Sequence, residues 1–141
     1  MTVAYTIGRI LLPILFLVNG IQKVINVADI AKLLEANAIP IPQEIVPYLG
    51  SMPKYEALGY LIAAIEIVCG LMVLIGLKAR CGALVLIVFT AATIILVHHF
   101  WDMSGEAFNS NLIEALKNLS IMGALLLIVA VGAGPNSIKR D

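Results

Sequence analysis

The polar chemistry of this chain is concentrated in a few residues set in apolar sequence. The stretch HHFWDM, His98 to Met103, holds both histidines, the one tryptophan and an aspartate. Glu66 is the single charge between Ala57 and Leu77; Arg9 is the single charge between Val3 and Gln22, with Lys23 just beyond it. Lys117 and Asn118 open the last apolar run. A carboxylate at the centre of a membrane helix costs about 2.5–3.5 kcal/mol on insertion scales, so it turns inward toward a partner or ligand. Glu66 therefore has two readings: a carboxylate that takes up protons or binds a ligand, or a buried partner of Arg9 or Lys23 that fixes helix packing.

HHFWDM admits several chemistries. On a helix, neighbouring histidines point about 100° apart and are poor joint ligands for one metal. No second histidine-bearing helix could complete a bis-histidine haem site, and the Glu-x-x-His pairs of di-iron bundles are absent. Neither metal nor haem is expected. If the helix continues through the stretch, His98 and Asp102 stand four apart and share a face, with Trp101 three from His98. One reading is an interfacial anchor, since Trp and His suit the headgroup layer. The other is a site for a quinone-type ligand. Its ring carbonyl would accept a hydrogen bond from His98 or His99 beside the Trp101 ring, and His and Glu would pass protons near neutral pH. Lys23, Lys117 and Asn118 would close a polar mouth around that site, or serve as boundary residues.

These side chains must be positioned by membrane helices. Hydrophobic residues make up 61% of the 141 positions and charged residues 13%, with mean hydropathy +1.02. Water-soluble domains carry about a quarter charged residues, so this chain cannot cover its surface with polar groups. The net charge of zero removes the electrostatic footprint of a nucleic-acid partner. Cys69 and Cys81 have no metal or disulfide spacing and read as small core residues.

Four runs are long enough to span: 3–22, 57–77, 81–101 and 118–134. The first has neither a preceding basic segment nor a following cleavage site, and is expected to remain as a span. Lys78-Ala79-Arg80 forces an antiparallel hairpin between spans two and three. The long first loop carries a short amphipathic helix over 27–37, with Val27, Ile30, Ala31 and Leu34 on one face and Pro40 beyond its end. At about 16 Å it is too short to span, so it lies on the membrane surface or folds over the bundle mouth. A proline-rich strap follows it. The expected fold is all-α: an integral membrane four-helix bundle, forming one domain over 1–141. Arg9, Lys78, Arg80, Lys139 and Arg140 fall on one side and place the termini in the cytoplasm.

Several motifs recur together: Gly8-Arg9, NGIQK (Asn19 to Lys23), A-I-P-I-P, Glu66 with Gly70 and Gly76 followed by Arg80, HHFWDM, and KNLSIMGALLL. In this order the chain resembles the DoxX family of four-helix membrane proteins, and its last two motifs resemble small bacterial inner-membrane members. The resemblance covers nearly the whole chain. It implies an inner-membrane location and association with redox complexes, since some relatives are subunits of thiosulfate:quinone oxidoreductases. More distant relatives act as cargo receptors or assembly chaperones.

Three functions follow. The first is a quinone- or redox-associated subunit working beside a membrane or soluble oxidoreductase, because the chain has no flavin or haem motif of its own. The second is a non-enzymatic scaffold or chaperone. The third is a small-molecule carrier, for which four spans would need a homo-oligomer. The bilayer is the partner common to all three.

Overall fold

The structure, a computed structural model, describes residues 2–44, 46–134 and 136–138. Lys139 and Arg140, which enter the charge argument for orientation, lie outside the described residues. The helices are α1 (Thr2–Leu11), α2 (Ile14–Ile25), α3 (Val27–Ala36), α4 (Lys54–Ile75), α5 (Ala79–Leu96) and α6 (Gly105–Val131). Short 3-10 turns occupy Val46–Leu49 and Phe100–Asp102. Four helical stretches are long and apolar enough to cross a membrane: Val3–Ile25, Lys54–Ile75, Ala79–Asp102 and Gly105–Val131. The protein is thus an all-α membrane bundle.

The spans depart from their hydropathy limits at three places, each for a local reason. The first is two helices rather than one. Pro13 has no N–H to give the Arg9 carbonyl, so the ladder, intact as far as Leu12 N donating to Gly8 O at 3.0 Å, breaks at Pro13 and resumes with Leu17 N donating to Pro13 O at 3.0 Å. The third helix stops at Leu96, and the chain turns through His98 and His99 before the 3-10 turn. The fourth begins at Gly105, well ahead of residue 118. Hydropathy measures transfer into lipid, not helicity, so the polar turns ahead of Lys117 are invisible to it. At about 1.5 Å per residue, the 27 residues of α6 reach about 40 Å, beyond the about 30 Å hydrocarbon layer.

Packing is sequential: α2 and α3 lie on α4, α4 on α5, and α5 on α6. The core is small and apolar, built from Phe16, Val73, Ala83, Leu86, Leu125 and Ile128. Large apolar side chains such as Val88, Ile95 and Leu127 are exposed, as lipid-facing positions require. At one end of the bundle α3 folds over the mouth, its Val27 and Ile30 packed on Gly59 of α4. At the other end α4 closes in a Schellman turn. Leu77 N donates to Met72 O at 3.0 Å and Gly76, at φ +75°, donates to Val73 O.

Candidate functional site

The site follows from a close helix crossing. On α2, Gly20 meets α4 so tightly that a Cβ there would lie 2.7 Å from Ile67 Cγ1 and 3.0 Å from Ala63 O. Gly70 meets Leu17 in the same way, one step along the contact. Small residues at 59, 63 and 70 share the α4 face that carries Glu66, and all four are buried. This approach sets Lys23 beside Glu66. Lys23 Nζ is 2.8 Å from Glu66 Oε2 and donates to Oε1 at 3.0 Å. The Glu66 side chain is 3% exposed and that of Lys23 22%, so the carboxylate is the sequestered member. Oε2 has the ion-pair contact but accepts no directional hydrogen bond.

The pair stands in the wall of a cavity of about 330 Å³. Its lining brings together polar residues from four helices: Asn19 and Lys23 from α2, Glu66 from α4, Thr90 and Thr93 from α5, and Glu114 and Asn118 from α6. His98 adds an imidazole after α5, and Ile30, Leu33 and Leu34 of α3 form the cover. Thr90 and Thr93 donate their hydroxyls to Leu86 O and Phe89 O one turn back, at 2.7 and 3.0 Å. Their protons are thus engaged, leaving only oxygen lone pairs for a ligand. His98 Nδ1 is 3.0 Å from Asn111 Oδ1. Asn111 donates its amide nitrogen to Ala107 O at 3.0 Å. With the amide so oriented, Oδ1 accepts from His98 Nδ1–H, and Nε2 is the ring nitrogen left for another partner.

Not every residue expected at the site reaches it. Lys23, Glu66, His98 and Asn118 line the cavity; Arg9, His99, Trp101, Asp102 and Lys117 do not. The helical spacing that would pair His98 with Asp102 does not exist, because α5 ends before it; Asn111 of α6 takes that place at Nδ1. Trp101 is 52% exposed and packs edge-on against Phe100, which in turn meets Phe108 of α6. His99 lies beside Trp101 in this aromatic cluster, ring centroids 6.3 Å apart. Lys117 pairs with Glu114 on the exposed α6 surface.

Arg9 sits at the opposite end of the bundle, 2% exposed. Its Nη1 donates to Val73 O at 2.9 Å and Leu74 O at 2.7 Å, and Nη2 to Asn136 O at 3.0 Å. It therefore caps the carbonyl end of α4, where the helix dipole is negative. Glu66 pairs with Lys23, not with Arg9. Asn19, Thr90 and Thr93 were missed from sequence. Asn19 precedes Lys23 by one helical turn within NGIQK, and that spacing was a usable signal. The threonines carry no charge to mark them in their apolar run. Among the described residues, no group of three or more His, Cys, Asp or Glu is arranged to hold a metal ion.

The DoxX family profile matches residues 4–99, so the chain belongs to the DoxX family. The matched segment contains Lys23, Glu66 and His98 and ends before Asn118. The chain is 29% identical over 135 residues to inner membrane protein YphA of Escherichia coli K12, covering 95% of the chain and 86% of that protein. It is 33% identical over 138 residues to inner membrane protein YqjF of the same strain, covering 98% and 91%. No solved structure matches the chain significantly.

Proposed function

We propose that this DoxX-family protein is an inner-membrane subunit that binds a quinone-class molecule in the Lys23–Glu66 cavity and works beside an oxidoreductase. The observation that carries this reading is Glu66. A carboxylate 2% exposed, with an oxygen that accepts no hydrogen bond, stands in the wall of a cavity rather than in a closed core. Ligand cavities span about 300–1,000 Å³, and this one, at about 330 Å³, lies at the small end, suited to one quinone head group. Lys23 supplies a donor for a ring carbonyl. Glu66 supplies an acceptor for the hydroxyl of the reduced ring. His98 at the same cavity can exchange a proton through Nε2. The quinone would supply the two-electron chemistry, and the partner the electrons. The termini and the Lys78–Arg80 turn face the cytoplasm on this reading, by the positive-inside rule.

The test is solvent extraction of gently purified protein with mass spectrometry against empty membranes. Wild type should retain a quinone in near-stoichiometric amount, and Glu66→Gln and His98→Ala should each lose most of it while remaining folded. Equal retention in all three proteins would reject the assignment. Absence of any enriched quinone from wild type would reject it too.

A further inference from the structure

We infer that the groove between α1–α2 and α6 holds the apolar tail of the molecule whose ring occupies the Lys23–Glu66 cavity, and that the molecule enters sideways from the bilayer. This rests on the ligand reading above. The first helices pack on α4, and α6 packs on α5. The seam between α1–α2 and α6 therefore carries an open groove of about 570 Å³. Ala4, Gly8, Leu11, Leu15, Ala124 and Leu127 give it an apolar lining. Leu15 is a wall of both the groove and the ring cavity, which makes the two neighbours along one seam.

Length and continuity with the ring cavity decide the occupant. From Ala4 to Leu15 the groove follows about 17 Å of helix, more than half of the about 30 Å hydrocarbon layer. An apolar groove of this length, joined at Leu15 to the ring cavity, fits one extended hydrocarbon chain attached to a ring. It follows the first membrane-spanning stretch, as a tail anchored by a ring at one end would.

Gly8 offers a clean test, because a Cβ there meets nothing within 4 Å. Gly8 lines the groove, so a larger side chain branching from that open Cβ position takes up groove space. Binding is measured in phosphatidylcholine nanodiscs, as excess over empty discs, for menaquinone-4 and for menadione, the same ring without a prenyl tail. Wild type should bind menaquinone-4 at least tenfold more tightly than menadione. Gly8→Leu should bring menaquinone-4 down to the menadione level, Gly8→Ala should retain the tail advantage, and Glu66→Gln should weaken both molecules. Equal affinity for the two molecules in wild type, with loss in Glu66→Gln, overturns the tail site and leaves the ring site standing. A Gly8→Leu loss that is equal for both molecules also overturns it. Release of a co-purified phospholipid, or a change from dimer to monomer, without loss of the tail advantage would assign the groove to that occupant instead. If neither molecule binds wild type, ring site and tail site fall together.

Discussion

Lys23 and Glu66 meet across the α2–α4 crossing with Nζ 2.8 Å from Oε2, and the two ends of this pair are unequally buried. Removing either partner should therefore have unequal effects. Lys23→Met leaves a nearly buried carboxylate without its counter-charge and should destabilise by about 3–5 kcal/mol. Glu66→Gln leaves an ammonium on a flexible, partly exposed stem and should cost only about 1–2 kcal/mol. Replacing both by apolar residues should recover most of the loss, because the desolvation of both charges disappears with them. Steric-trap unfolding of the single variants and the double variant would measure this cycle. An additive double variant would mean the pair does not act as a unit.

The crossing itself depends on Gly20. Gly20→Ala forces a methyl against Ile67 and the Ala63 carbonyl and should cost about 1–3 kcal/mol. Gly123→Ala is the contrasting change, because a Cβ there meets nothing within 4 Å. It should be neutral or stabilising by up to about 1 kcal/mol, the gain of alanine over glycine in a helix. Thermal unfolding in mild detergent would rank the two, and a Gly20 variant as stable as Gly123→Ala would refute the close approach.

Arg9 should behave as a structural cap. Arg9→Lys keeps the charge but loses the planar fork that reaches three carbonyls, at an expected cost of about 1.5–3 kcal/mol. Hydrogen exchange should rise at Gly76, Leu77 and Ile138, whose amides donate around the same turn. Unchanged exchange there would show that the guanidinium does not hold the end of α4.

The partner of His98 can be read from a second cycle. His98→Ala and Asn111→Ala should each cost about 0.5–1.5 kcal/mol, and together little more than either alone. Asp102→Ala, exposed on the 3-10 turn, should stay within about 0.5 kcal/mol of wild type and show no coupling to His98. Coupling between His98 and Asp102 instead would restore the helical geometry that the turn at residues 97–99 breaks.

The sequence by itself determined the solvent, the number of spans and the buried carboxylate of the candidate site. Apolar content and run length are sums over local composition, so four membrane helices could be read without any contact between them. Glu66 was legible for the same reason, since a lone carboxylate in an apolar run is costly wherever the run is placed. Only the tertiary structure decided which cation Glu66 meets. Arg9 and Lys23 lie on either side of Pro13, and their depths depend on the break there and on how closely Gly20 lets α2 approach α4. Tertiary packing also separated HHFWDM into His98 at the cavity and His99, Trp101 and Asp102 outside it, because α5 stops before the histidines and α6 starts far earlier than its hydropathy suggests. Thr90, Thr93 and Asn118 became neighbours of Glu66 by the same packing. Pairings across helices depend on kinks, register and close approach, and none of these is a property of one segment alone.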